Sequence, residues 1–224
     1  YHPDKSAEEI FASYQAFNAH LCLPHHAAWR PHTNSRETNR KLKIGYVSPD
    51  FNMHPVRHLL DPLLQNHDKN AFEVFAYAEL RHEDAQTTRY KSLVNHWVNT
   101  TALTDVELAD RIRADGIDIL IDIAGHSANN RLGAFAFKPA PVSASWLGYG
   151  YTTGMTAIDY YMADENLLPI GSEHLFSEKP WRLPTPGYAF RPAEGMGSIS
   201  PLPALENGFI TFATLSRAIR INHR

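Results

Sequence analysis

Short strands rich in β-branched residues alternate with amphipathic helices along most of this chain, and this alternation constrains its fold more than any other feature. The clearest strand is the run IDILIDIA over residues 117–124, which is typical of a central parallel strand. The helix before it opens at the capping box of Thr104 and Glu107 and ends at Gly116. We therefore predict an α/β fold with a Rossmann-like, doubly wound parallel sheet.

The same pattern predicts the remaining elements. Further strands are predicted over residues 42–48, 72–78, 96–99, 142–147, 158–163 and 209–214. Further helices are predicted over residues 6–20, 55–67, 84–94 and 131–137. Pro62 should kink or interrupt the second of these helices, because proline lacks an N–H group and its ring clashes with the preceding turn.

Changes in the pattern of apolar and polar residues divide the chain into three predicted parts. Residues 1–40 hold a helical segment and an irregular linker, and residues 41–207 hold the Rossmann-like domain. Residues 208–224 begin with an apolar strand, and a strand needs neighbours, so we expect it to start a further domain. Since the sequence also begins with Tyr1 rather than Met, we interpret it as a fragment.

Composition excludes several classes of protein. The formal net charge is −3 and no long run of Lys and Arg is present, so we expect neither nucleic acid nor an anionic membrane as a partner. No stretch approaches the roughly 20 apolar residues of a membrane helix. The single cysteine, Cys22, excludes a disulfide within the chain and fits a reducing compartment, so we expect a cytoplasmic protein.

The loop after the first predicted strand carries Asp50, His54 and His58. Ligands of parallel sheets bind beyond the carboxyl ends of the strands, and Asp and His can serve as general bases. The alternative is that Asp50 or Asn52 caps the next helix and the histidines are solvated. A zinc site is a third option, but the first histidine lacks the adjacent Glu of metalloproteases and no third ligand is evident, so we predict no metal.

Two further loops follow predicted strands. The loop over residues 125–131 contains Gly125, which permits tight backbone geometry, and His126, which either contacts a ligand or is solvated beside a capped turn. The loop over residues 146–154, WLGYGYTTG, combines glycines, which let backbone amides approach a ligand, with aromatic rings that stack on sugars or bases. It matches neither the Walker motif nor the dinucleotide fingerprint.

Together these loops resemble the protein O-GlcNAc transferases and their bacterial relatives, glycosyltransferase family 41. The similarity lies in an ordered set of segments: KIGYVSPDFNMHPVRHL, FEVFAYA, LADRIRADGIDILIDIAGHS, FAFKPAPVSASWLGY, TTG, IDYYMAD and FSEK. It covers residues 41–188 and the strand predicted over 209–214. The helix over residues 6–20 is similar to the segment that joins tetratricopeptide repeats to the catalytic region in bacterial members.

The resemblance implies roles for particular residues. Asp50 matches an aspartate proposed as the catalytic base, and His54 matches an active-site histidine beside the donor. Pro55 and the backbone of Leu147 and Gly148 match positions that border the donor in the cleft.

The chain departs from the animal enzyme at several of the matched positions. Val56 replaces a Thr, and His126 and Ala128 replace a Tyr and a Lys in the loop that Gly125 opens. The pair over residues 150–151, Gly-Tyr, stands in place of Pro-Gly. These departures put the same donor or acceptor specificity in question, while Gly125 and His126 stay predicted cleft residues.

The resemblance also implies the architecture and the activity. The chain would be the N-terminal lobe of a two-lobed GT-B glycosyltransferase, with most donor contacts on the second lobe. The expected reaction moves GlcNAc from UDP-GlcNAc onto Ser or Thr hydroxyls of a protein or peptide acceptor, with inversion and with no metal or other cofactor. Alternatives are another donor (glucose, galactose or fucose), an Asn acceptor, or a non-catalytic peptide-binding module on a degenerate lobe.

Overall fold

The computed structural model describes residues 4–193 and 195–215. Within these residues seven strands form one parallel sheet in the order β3-β2-β1-β4-β5-β6-β7. The strands are β1 (Leu42–Ser48), β2 (Phe72–Ala78), β3 (His96–Asn99), β4 (Ile119–Asp122), β5 (Val142–Trp146), β6 (Tyr160–Ala163) and β7 (Lys179–Arg182). The helices are α1 (Ala7–Leu21), α2 (Arg57–Gln65), α3 (Ala85–Leu93), α4 (Asp105–Asp115), α5 (Leu132–Phe135) and α6 (Pro203–Asn207). The predicted Rossmann-like, doubly wound α/β fold is confirmed.

Helices cover both faces of the sheet because successive strand residues point to opposite sides. Val47 and Leu120 pack in one apolar cluster, into which α4 and α5 insert buried side chains. Tyr46 and Ile121, their immediate neighbours along β1 and β4, pack in the other cluster, with buried residues of α2 and α3. The sheet is therefore the middle of three layers.

The capping residues that sequence alone identifies set the helix boundaries. The capping box of Thr104 and Glu107 opens α4, and Gly116, at φ +69°, ends it in the left-handed region. Ser6 and Glu9 form the corresponding box at the start of α1. Both predicted helix starts are thus confirmed.

Helix α1 and the linker pack onto the sheet domain. Phe17 and Leu21 of α1 reach the apolar cluster below α4 and α5, where Cys22 is fully buried. In the linker, Arg40 donates two hydrogen bonds, of 2.6 and 2.7 Å, to Asp118 at the amino edge of β4. The first 40 residues therefore share a core with the sheet, while their assignment as a separate part of the chain stays a prediction.

Helix α2 continues through Pro62, so of the predicted kink or interruption the interruption is wrong, and the kink stays a prediction. Proline at this position leaves the carbonyl of His58, four residues earlier, without its helical donor. The backbone N–H of Arg191 supplies the missing hydrogen bond at 2.9 Å. A segment distant in sequence therefore stabilises the helix where the proline would weaken it.

The structure differs from the predicted elements at two further places. Residues 208–215 form no strand, and Phe209, Ile210 and Phe212 are exposed, because no strand among the described residues pairs with them. The edge strand β7, KPWR, was not predicted, because it contains a proline and lacks a clear apolar alternation. Within the described residues no helix has the length and apolar character needed to cross a membrane.

Candidate active site

The order of the strands opens a crevice beside β1. Strand β1 pairs with β2 on one side and with β4 on the other. The chain leaves β1 for α2 on one face of the sheet, and it leaves β4 for α5 on the opposite face. Loops that diverge in this way leave room for a ligand at the carboxyl ends of the strands.

The loop after β1 is anchored before it reaches Asp50. Ser48 is buried at the end of the strand, and its hydroxyl accepts a 3.0 Å hydrogen bond from the Asp50 N–H. Phe51 is fully buried, with ring centroids 5.6 Å from Tyr90 and 5.4 Å from Trp97. Because the residues on both sides are fixed, the position of Asp50 is well defined.

Asp50 and His54 face each other at the rim of the crevice. His54 Nδ1 lies 3.8 Å from Asp50 Oδ2, and the two side chains are 46% and 20% exposed, respectively. Burial raises the pKa of Asp50, and the nearby His54 partly lowers it again. The carboxylate is therefore a stronger base than an exposed aspartate while it stays accessible to a substrate.

The backbone N–H of Val56 determines which ring nitrogen of a neutral His54 carries the proton. The N–H of Val56 points to His54 Nδ1 at 3.3 Å, so this nitrogen accepts and, in the neutral ring, Nε2 carries the proton. The exposed Pro55 lies between these residues, and its carbonyl accepts the His58 N–H at 3.2 Å at the start of α2. His54 thus offers a donor, rather than an acceptor, to anything bound in the crevice.

Sequence reasoning missed Asp122, the buried carboxylate at the end of β4. It accepts hydrogen bonds from the N–H groups of Ala124 and Gly125 and from the Ser145 hydroxyl, at 2.9 to 3.2 Å. Burial raises its pKa to about 6 in spite of these donors. Asp122 ties the ends of β4 and β5 together, and a charged residue within the apolar run IDILIDIA was the available signal.

The predicted cleft residue His126 packs against α1. Its Nε2 donates to the carbonyl of Thr153 at 2.8 Å, and its ring centroid lies 5.0 Å from Tyr14 and 4.7 Å from Phe17. Among the described residues, the structure shows no hydrogen bond from His126 to Asp50 or His54. His126 therefore joins the helical segment to the sheet edge.

Gly125 must be a glycine for two reasons. Its φ is +53°, and an added Cβ would lie 2.3 Å from Tyr149 Cβ. The loop after β4 and the loop after β5 are therefore in close contact.

Leu147 and Gly148 form a tight turn in the loop after β5, where this loop contacts the loop after β4. Leu147 has φ +76°, and the Gly148 N–H donates to the Trp146 carbonyl at 3.0 Å, which closes a γ-turn. An added Cβ on Gly148 would lie 1.9 Å from the Ile123 carbonyl oxygen. Backbone strain of this kind clusters at functional sites, which agrees with the expectation that these two residues border a ligand.

Two short segments that carried the family resemblance meet beneath this turn. Glu178 of FSEK accepts from the Thr152 hydroxyl at 2.5 Å and from the Thr153 N–H at 2.8 Å, both in TTG. All three residues are buried. The segments are thus brought together as one supporting network, although they are distant in sequence.

His54 and His58 are not arranged as a pair of metal ligands. His58 Nδ1 lies 3.2 Å from the Arg191 carbonyl oxygen, and its Nε2 is 3.4 Å from the Arg57 guanidinium. Over the described parts of the chain, no group of three or more His, Cys, Asp or Glu side chains could hold a metal ion. The prediction of a site without metal stays a prediction.

Comparisons with known proteins agree with this fold. The sequence model of "Glycosyl transferase family 41" matches residues 12–188. A tomato protein, "Probable UDP-N-acetylglucosamine--peptide N-acetylglucosaminyltransferase SPINDLY", is 35% identical over 88% of this chain and 21% of its own length. An Arabidopsis thaliana protein, "Probable UDP-N-acetylglucosamine--peptide N-acetylglucosaminyltransferase SEC", is 37% identical over 65% of this chain and 15% of its own length.

A solved structure, a mutant O-GlcNAc transferase from Thermobaculum terrenum, superposes with a TM-score of 0.83 at 35% identity. The match covers 89% of this chain and 38% of that structure. The chain thus spans about a fifth of the length of the curated SPINDLY relatives, at 21% for the tomato protein.

Replacing Gly148 with Ala tests the contact between the two loops. We expect Gly148→Ala to lower the free energy of unfolding by about 1–3 kcal/mol or more, because the methyl group would overlap the Ile123 backbone. Gly150→Ala is the matched control, since an added Cβ there meets no atom within 4 Å. Equal free energies of unfolding for the two variants, measured by urea denaturation, would contradict the described contact.

Replacing Asp122 with Asn tests its buried, protonatable state. Its pKa, raised from 3.8 to about 6, means that the folded state binds the proton more tightly. The stability that this group contributes is present below about pH 4 and is lost as the pH rises through about 6. Relative to the wild type, Asp122→Asn should therefore gain up to about 3 kcal/mol between pH 4 and pH 7. A difference between the two proteins that is the same at both pH values would show that Asp122 does not titrate in this range.

Proposed function

The chain belongs to glycosyl transferase family 41, and on that premise we propose that the protein transfers a sugar from a nucleotide-sugar donor to protein acceptors. The relatives are named as UDP-N-acetylglucosamine–peptide N-acetylglucosaminyltransferases. Those names support GlcNAc as the sugar, UDP-GlcNAc as the donor and a peptide as the acceptor. We further propose that Ser and Thr hydroxyls accept the sugar, with inversion at the anomeric carbon and without a metal.

The observation that carries this proposal is the placement of Asp50 beside His54 at the crevice. A hydroxyl is a poor nucleophile at neutral pH and needs a base within hydrogen-bonding reach, directly or through one water. The carboxylate of Asp50 is partly exposed and its pKa is raised by burial, so it suits the removal of that proton. Preservation of both side chains in this arrangement favours an enzyme over a non-catalytic binding module.

We assign complementary roles to the two residues. His54 Nδ1 is engaged by the Val56 N–H, which leaves the Nε2 proton for donation to an oxygen of the bound donor or acceptor. Asp50 is then the base and His54 the positioning donor. The charge that develops on the leaving diphosphate must be neutralised by cationic groups and helix N-termini, and we propose that a second lobe supplies most of them.

A donor panel with the full-length protein tests the proposed activity. We expect transfer from UDP-GlcNAc to Ser/Thr-rich peptides that continues in the presence of a chelator. UDP-glucose, UDP-galactose, GDP-fucose and a peptide whose only candidate acceptor is Asn cover the alternatives. A higher kcat/KM with another sugar, or with the Asn peptide, would replace the proposed substrates. Failure of a folded protein to bind or turn over any of these donors would favour the binding module.

The pH dependence of two variants separates the roles of Asp50 and His54. Asp50→Asn should lower kcat by about 10²–10⁴-fold, as removal of a general base typically does. In the wild type the rate should fall as the pH is lowered through the pKa of Asp50, which burial has raised above 3.8. His54→Gln keeps a side-chain N–H donor at this position, so it should lower kcat far less than Asp50→Asn does and should keep the acid limb of the profile.

The control for this experiment is Asp68→Asn, because Asp68 is an exposed carboxylate in the turn before β2 and should leave the pH profile unchanged. If His54 were the base, His54→Gln would abolish activity and remove the acid limb of the profile. That outcome would reverse the two assignments.

A further inference from the structure

The loop over residues 49–56, which joins β1 to α2 and carries the active-site pair, is tied to the start of α3. The hydroxyl of Thr87, in the first turn of α3, donates to the Phe51 carbonyl at 2.9 Å. The carboxylate of Asp84, the residue that caps α3, accepts the Met53 N–H at 2.7 Å. The loop backbone is therefore held at two points between the two side chains that we assign to the reaction.

Asp84 and Thr87 are also the two partners of the capping box of α3. Asp84 Oδ1 accepts the Thr87 N–H at 2.8 Å, and the Thr87 hydroxyl accepts the Asp84 N–H at 3.2 Å. Asp84 Oδ2 is the oxygen that accepts the Met53 N–H. The backbone N–H groups of Thr87 and Met53 hold the pKa of Asp84 below its usual range, so the carboxylate is ionised at neutral pH. One oxygen of Asp84 thus caps the helix while the other holds the loop.

The capping box of α4 shows that capping alone does not require the contacts with the loop. Thr104 and Glu107 close that box with hydrogen bonds of 2.8 to 3.2 Å. In the parts of the chain that the structure describes, their side chains hydrogen-bond only within the box. The Met53 N–H on Asp84 is thus an addition to the cap of α3.

Burial makes the contact between the loop and α3 rigid. Thr87 and Phe51 are both fully buried, and Phe51 packs its ring against Tyr90, which lies one turn after Thr87 on the same face of α3. Helix α3 therefore contacts both the carbonyl and the ring of Phe51. A buried hydroxyl that lost its acceptor would be costly, which favours this one position of the loop.

The position of the loop determines the geometry of the active-site pair. Residues 51–53 connect Asp50 to His54, and the first and the last of these three residues are bonded to Thr87 and Asp84. His54 Nδ1 lies 3.8 Å from Asp50 Oδ2 in this arrangement. A displacement of about 1 Å in a group that must meet a substrate can cost about 10²-fold in rate.

We propose that Asp84 and Thr87 are positioning residues of the transfer reaction, which hold the loop over residues 49–56 so that Asp50 and His54 meet the acceptor and the donor together. The proposal rests on the proposed transfer and on the roles assigned to that pair. Neither Asp84 nor Thr87 touches the substrate in this scheme, and each acts through the loop backbone.

The variant Asp84→Asn separates the loop contact from the helix cap. Asn caps helices as well as Asp does, but its side chain has a single acceptor oxygen and cannot accept both N–H groups. We expect the local cap to be kept and the Met53 N–H to be released. With UDP-GlcNAc and a Ser/Thr-rich peptide, kcat of the full-length protein should fall by roughly ten- to a hundred-fold. The ratio kcat/KM should fall by the same factor, because the loss lies in the transition state rather than in substrate binding.

A second pair of variants tests the hydroxyl of Thr87. Thr87→Val keeps the shape of the side chain and removes the hydroxyl, so it should lower kcat in the same manner as Asp84→Asn. Thr87→Ser keeps the hydroxyl and should keep most of the wild-type kcat. Thr104→Ala is the control for a lost cap, because it weakens the start of α4 and leaves the loop contacts in place. Urea denaturation establishes that each variant is folded under the assay conditions.

Hydrogen exchange of the Met53 amide reports the loop contact directly, in the full-length protein without any donor. An N–H group held by a carboxylate is protected from exchange until the loop opens. The Met53 amide should be protected in the wild type and in Thr104→Ala, and it should exchange faster in Asp84→Asn.

Wild-type kcat in both Asp84→Asn and Thr87→Val would overturn the proposal. An equal loss of kcat in Thr87→Ser or Thr104→Ala would also overturn it, because general stability would then explain the effect. An unprotected Met53 amide in the wild type would overturn the loop contact itself. Failure of the wild type in the donor panel would count against the proposed function, and the exchange rates would still decide whether Asp84 holds the loop.

Discussion

Strand β1 lies between β2 and β4, and the chain must leave its two central strands toward opposite faces of the sheet. All the features that carry chemistry depend on this reversal. It separates the loop with Asp50 and His54 from the loop with Gly125 and His126 and leaves room for a ligand at the carboxyl ends of the strands. The two loops then meet different surroundings: the first borders α2, and the second packs against α1 and the turn after β5.

The sheet edge beside the crevice is stabilised by two carboxylates, which are costly to bury. Asp122 lies in the protein interior, and backbone N–H groups and a serine hydroxyl offset the cost of its charge. Glu178 is held in the same way by two threonines. Carboxylates that accept several donors fix loop positions more narrowly than apolar packing does, which suits a site that must hold a substrate within a fraction of an ångström.

How much of the structure can be predicted from the sequence depends on how far apart in the chain the interacting residues lie. The strand–helix alternation, the capping boxes and the pair of Asp50 and His54 arise from residues close together in the chain, and the structure shows the corresponding elements and places this pair 3.8 Å apart. The network of Asp122, the packing of His126 on α1 and strand β7 were not predicted. Each depends on contacts between residues far apart in sequence, and the one local signal among them is the acidic residue Asp122 within the apolar run IDILIDIA.

Pro62 shows how such long-range contacts shape the region beside the active site. A proline in the middle of α2 would ordinarily weaken the helix, but the carbonyl it exposes becomes the attachment point for Arg191, which follows the edge strand β7. The same contact brings the Arg191 guanidinium to Asp61 and Arg89. The carbonyl that Pro62 leaves free therefore fixes where Arg191 joins the ion pair of Asp61 and Arg89.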